Sequence, residues 1–143
     1  NAFDFPIPKV DGLDVSYSGF KTAFINFIHK NQSKNPNFIK ENLNDLCASI
    51  QKTLVKIIMI KIILAREKYD INQVVIGGGV AANSEIRKVL DEKARQDQWR
   101  VFLPPLQYTA DNAAMIGIVG YLKLLHKKWG TMNQSVSARL PLS

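Results

Sequence analysis

The chain has 143 residues, 46% hydrophobic and 22% charged, with a formal net charge of +7. That length suits one domain or a piece of a larger protein, and it is enough to bury roughly 68–70% of the surface an unfolded chain exposes. The single cysteine, Cys47, excludes an internal disulfide and a cysteine-cluster zinc site.

The chain opens NAFDFPIPKV, with no initiator Met and no basic-then-apolar leader, so no secretory signal is read and the start looks like the middle of a longer protein. Pro6, Pro8 and Gly12 make residues 1–12 an extended segment. Leu13–Ser18 alternates apolar and polar side chains, which predicts a short strand broken by Gly19. Phe20, Phe24, Phe27 and Ile28 then fall at helical spacing, predicting a helix to Lys30 capped by Ser18. The loop NQSKNPN (Asn31–Asn37) carries the chain from this first part, residues 1–36, into the second.

The second part, 37–143, opens on one long predicted helix, Phe38–Tyr69. From Leu54 to Leu64 it is apolar on nearly all sides and belongs at the centre of the core. Lys56 and Lys61 interrupt this run, which is too short to cross a membrane. Cys47 within it reads as a small buried apolar residue. A βαβα unit follows: strand Val74–Ile76, glycines Gly77 to Gly79, helix from about Ala81 to Gln96, strand Trp99–Leu103, Pro104–Pro105, and a last helix from about Thr109 to Lys128 ended by Gly130. Ser135–Leu140 suits an edge strand. Strands alternating with helices predict an α/β fold, helix-rich with a small, mostly parallel sheet.

Three stretches carry chemistry. Gly77-Gly78-Gly79 lies between a strand and a helix, where a backbone without Cβ atoms turns sharply and approaches a ligand closely. The helix after it offers unpaired N–H groups to an anion. It is neither a Walker motif nor GxGxxG, and taken alone a tight structural turn explains it somewhat better than ligand binding does. Asn83 caps that helix or reaches a ligand, with Ser84 as a rival cap. In Tyr108–Asn112, Thr109 is the natural cap and Asp111 falls in the first turn, where it complements the dipole or ligates a metal. His29 and His126 have no metal-ligand spacing to Asp111 or to each other and read as helix-surface residues. Ser16–Thr22 joins a hydroxyl-rich strand end to Gly19 and Lys21, either a phosphate site or a capped helix start. The lysines and arginines are spread along the chain, so the positive charge fits RNA or a solvated surface equally.

GLDVSYSGFKTA, VVIGGGVAANSEIR and YTADNAAMIG occur in this order. Together they resemble the C-terminal portion of the tRNA N6-threonylcarbamoyladenosine transferase family, formerly called O-sialoglycoprotein endopeptidase or glycoprotease. The resemblance implies the C-terminal lobe of an actin-like ATPase fold. It implies transfer of a threonylcarbamoyl group from its adenylate to N6 of a tRNA adenosine. It assigns adenylate binding to Asn83, Gly77, Gly78 and Gly79, and one metal ligand to Asp111. The remaining ligands to a divalent iron or zinc ion are expected outside this chain, so the chain alone is expected to be inactive. Thr109 and Ala110 stand where the family usually has Cys and Thr. The resemblance further implies cytoplasmic location and partnership with tRNA and other proteins of the same modification pathway. Apolar surface left without its partner lobe is expected to drive self-association. The rival readings are a metallopeptidase, which lacks HExxH here, and a non-catalytic nucleotide-binding or scaffold module.

Overall fold

A helix that is apolar on nearly every side needs cover on nearly every side, and the computed structural model shows how most of the run Leu54–Leu64 obtains it, with Leu64 left exposed. Residues 2–133 and 135 are described. They fall into two compact units, Asn1–Thr109 and Ala110–Ser143. In chain order the elements are α1 (Ser18–Gln32), α2 (Phe38–Glu41), α3 (Leu43–Tyr69), β1 (Gln73–Val75), α4 (Ser84–Gln96), β2 (Arg100–Phe102) and α5 (Ala113–Leu125). Short 3-10 turns at Gly79–Ala82 and Leu106–Tyr108 lie between them.

In the first unit α3 serves two cores. Leu46, Ile50, Leu54 and Ile57 join a phenylalanine-rich cluster with Phe5, Phe20 and Ile28. Val55, Met59, Ile58 and Ile62 join a second cluster with Ile86, Leu90, Trp99, Val74 and Val101. Adjacent positions on one helix point to different faces, so a helix between two cores must be apolar around its circumference. Among the described residues no helix is long and apolar enough to cross a membrane.

β1 and β2 pair in parallel, with Val74 opposite Val101, and α4 is the crossover between them. This is the expected small parallel sheet in a helix-rich α/β arrangement.

The N-terminal segment is a working part of the first core. Phe5 packs edge-on against Phe20, Phe24 and Phe27 at centroid distances of 5.8, 5.4 and 5.2 Å. Phe3 meets Phe27 and Phe38, and its N–H donates to the buried Ser49 hydroxyl at 3.3 Å. Leu13–Ser18, however, is not a strand. In place of strand pairing, the Lys61 ammonium binds the carbonyls of Val10 and Gly12 just before it, each at 2.7 Å.

Helix boundaries differ from expectation at several points. α1 starts at Ser18 itself, with Tyr17 as cap and no capping side chain; the Ser18 carbonyl accepts from the Thr22 hydroxyl at 3.1 Å. The long helix is interrupted at Asn42, whose φ of −117° leaves the helical region. The Asn42 amide donates to the Phe38 carbonyl at 2.9 Å, competing with the backbone as asparagine commonly does.

In the second unit α5 begins at Ala113, later than expected, because Thr109 is committed elsewhere. Thr109 is buried and its hydroxyl donates to the Leu106 carbonyl at 2.7 Å, closing the turn there. Asn112 is the cap and accepts from the Met115 N–H at 3.2 Å. Asp111 therefore precedes the helix and is not in its first turn. α5 ends before Gly130 is reached. Lys127 takes a left-handed conformation (φ 51°), and the N–H groups of Lys127 and Lys128 donate to Leu124 and Lys123 carbonyls at 3.0 and 2.9 Å. The expected edge strand 135–140 lies outside the described residues apart from Ser135.

Candidate functional site

Behind β1 the chain must turn sharply to enter α4. Only Gly78 of the three glycines requires glycine for its backbone, with φ +76°. At Gly77 and Gly79 an added Cβ would meet nothing within 4 Å, so that side of the turn is open. The turn Gly79–Ala82 then tightens on bonds from Ala81 N–H to Gly78 and from Asn83 N–H to Val80, both 3.0 Å. Asn83 is extended (φ −64°, ψ 119°), and its Oδ1 accepts from the N–H groups of Glu85 and Ile86 at 3.0 and 3.1 Å.

That cap changes the electrostatics of the turn. The amides of Glu85 and Ile86 are satisfied by Asn83 and are not presented to an anion. Asn83, and not Ser84, is the cap. With Oδ1 engaged, the Asn83 NH2 is the group left for an external acceptor.

An open groove of about 850 Å³ adjoins the turn, within the size range of small-molecule sites. Its walls are Phe20, Phe24, Ile50, Leu54, Ile58 and Ile86, with Tyr17, Lys21, Gln51 and Asn83 as polar members. Two stretches singled out in the sequence thus meet: the helix start around Tyr17–Lys21 and the glycine turn through Gly79, Val80 and Asn83. Gly77 and Gly78 do not line the groove.

Cys47 lines it too, exposed where a buried side chain was expected. α3 turns Cys47 and Gln51 to the groove, in a helical stripe continued by Leu54 and Ile58, which also pack against the two cores. The spacing was visible in the sequence, but an unbroken apolar run hides which stripe faces an opening.

Asp111 belongs to the second unit and is exposed. Among the described residues, no group of three or more His, Cys, Asp or Glu is placed to hold a metal ion. One carboxylate does not fit a metal site by itself. His29, on α1, is an exposed helix-surface residue as expected, whereas His126, also exposed, lies just past α5 as its C-cap.

A parallel βαβ unit with an open, apolar-walled groove beside the glycine turn at the end of its first strand defines an α/β protein with a candidate ligand site. The particular family follows from comparison. A family model described as tRNA N6-adenosine threonylcarbamoyltransferase matches residues 1–118. Proteins of that name from Christiangramia forsetii, Riemerella anatipestifer and Cytophaga hutchinsonii are 46%, 41% and 42% identical to this chain over 138, 143 and 142 residues. These alignments cover 96%, 100% and 98% of this chain but 41%, 42% and 41% of the relatives. The chain belongs to the tRNA N6-adenosine threonylcarbamoyltransferase family and spans about two fifths of the length of these relatives.

Proposed function

We propose that this chain is part of an enzyme that transfers a threonylcarbamoyl group from threonylcarbamoyl-adenylate to N6 of a tRNA adenosine. Family membership supports the reaction class. In such a transfer the N6 amine attacks the carbamoyl carbon, the bond from that carbon to the adenylate phosphate oxygen breaks, and AMP leaves as the amine gives up a proton.

The groove is this chain's share of the adenylate site. The observation that carries this reading is the convergence of Tyr17 and Lys21 with Gly79, Val80 and Asn83 on one apolar-walled groove. Its chemistry suits the nucleoside end: a flat base against Phe20, Phe24 and Ile58, with Asn83 and Gln51 as hydrogen-bonding neighbours. Gly78 contributes by shaping the turn and Gly77 by leaving space beside it. The adenylate phosphate finds its counter-charge in Lys21 and not in the amides Asn83 already caps.

Asp111 would supply one carboxylate ligand to a divalent iron or zinc ion whose other ligands would come from outside these residues. On this reading the chain alone does not turn over. Its positive charge meets tRNA, and other proteins of the pathway complete the active assembly in the cytoplasm. The exposed apolar side chains of α5, among them Ile116, Val119 and Leu122, favour self-association of the isolated chain.

Titration calorimetry with ATP tests the groove. The full chain binds ATP, and Tyr17→Ala and Asn83→Ala each weaken binding roughly tenfold, the effect of about 1.4 kcal/mol. Asn112→Ala, which removes a helix cap in the other unit, leaves affinity unchanged. Equal affinity across all these variants sinks the assignment and favours a scaffold role for the turn.

A further inference from the structure

One charged side chain ties the glycine turn to a second loop. Arg87, in the first turn of α4, is half-buried and donates from Nε to the Ala81 carbonyl and from an Nη to the Pro104 carbonyl, each at 2.6 Å. Ala81 is fully buried in the turn Gly79–Ala82, whose Gly79 and Val80 line the groove. Pro104 follows β2 and leads into the Leu106–Tyr108 turn, closed by the buried Thr109.

Both Arg87 acceptors are neutral carbonyls. Burying a guanidinium without a carboxylate is costly, and only well-formed charge-assisted bonds offset the cost. The fork geometry matters as well. Arginine holds two acceptors in a fixed relative position, and lysine, with its point charge on a flexible stem, does not.

We propose that Arg87 is a positioning residue. Its guanidinium fixes the glycine turn against the loop Pro104–Thr109 and so sets where Gly79, Val80 and Asn83 stand along the groove. This rests on the reading that the groove takes an adenine nucleotide. Arg87 itself does not line the groove and is given no contact with the ligand.

Hydrogen exchange and ATP titration on the full chain test this together. In Arg87→Met, amides of Gly79–Asn83 and of Leu106–Thr109 exchange faster, in concert, while those of β1 keep their wild-type rates. ATP affinity falls about tenfold, the scale set by losing one charge-assisted bond. Arg87→Lys keeps the charge but not the span, and it behaves like Arg87→Met. Lys88→Met removes an exposed charge one position along α4 and changes neither readout. If Arg87→Met loses its cooperative melting transition, Arg87→Lys carries the same test in a folded chain. Faster exchange in one segment alone, or in neither, overturns the clamp. Full rescue by Arg87→Lys assigns the effect to charge and overturns it too. Faster exchange in both segments with unchanged ATP affinity overturns the positioning role. A wild-type chain that binds no ATP refutes the nucleotide reading of the groove and removes the ligand half of the proposal, while the exchange rates still decide whether Arg87 clamps the two loops.

Discussion

α4 and α5 are both 13 residues long, and each is capped by an asparagine, Asn83 and Asn112. In every other respect they differ. α4 is strongly amphipathic: Ile86 and Leu90 are buried in the second core, while Lys88, Asp91 and Glu92 face solvent. α5 carries one charged residue, Lys123, and every one of its residues is exposed. An amphipathic stripe states which face is to be covered, and the fold covers it. A helix apolar all round demands cover without saying from where. Surface of this kind is where contacts with other chains or chain segments form.

The largest effects expected from this contrast come from paired truncations and charge insertions. Leu90→Ala, at a fully buried position, costs about 2–5 kcal/mol in denaturant unfolding. Ile116→Lys, at a position 76% exposed, stays within about 0.5 kcal/mol of wild type and lowers the tendency to associate in sedimentation. Comparable destabilisation by both variants breaks the distinction between the two helices.

A middling effect separates the glycines that lead into α4. Gly78→Ala forces a positive-φ, extended conformation (φ 76°, ψ −177°) on a residue with a Cβ and costs roughly 1–3 kcal/mol. Gly77→Ala, whose Cβ enters open space, changes the melting temperature little. Equal costs would mean that the turn is not held as described.

The smallest effect sharpens the comparison of the caps. Asn83→Ala loses two capping bonds, at 3.0 and 3.1 Å, and lowers stability by about 1 kcal/mol. Asn112→Ala loses one bond to the helix, at 3.2 Å, and costs less. Thermal melts of the two variants side by side give the ranking, and a larger loss from Asn112→Ala reverses it.

Much of this architecture was legible in the residues. The β-branched run before the glycines, the stripe Ile86–Val89–Leu90 and the central placement of Leu54–Leu64 all follow from periodicity and apolar content, which local burial obeys. Several of the differences share one cause: side chains with two possible uses. Ser18 and Thr109 look like helix caps, yet Ser18 already lies inside α1 and the Thr109 hydroxyl closes the turn at Leu106, because a hydroxyl serves whichever backbone group the fold brings near. Asn42 breaks a helix that apolar spacing alone would continue. Leu13–Ser18 alternates like a strand but pairs with no strand among the described residues, and alternation creates no partner. The core role of Phe3, Phe5 and Ile7 was also readable, as a period of two hidden among prolines.

The candidate site divides in the same way. Sequence by itself determined its ingredients: a glycine turn after a strand, Asn83 at a helix start, a lysine-bearing helix start at Tyr17–Lys21, and three ordered motifs that point to one family. These are short-range patterns, fixed by neighbours along the chain. Only the tertiary structure decided that Tyr17 and Lys21 share a groove with Gly79 and Asn83, that α3 lends a stripe including Cys47 to its wall, and that Arg87 joins the turn to Pro104. Those relations link residues far apart in sequence, and they arise when α3 is buried between two cores and carries both sets of side chains into place.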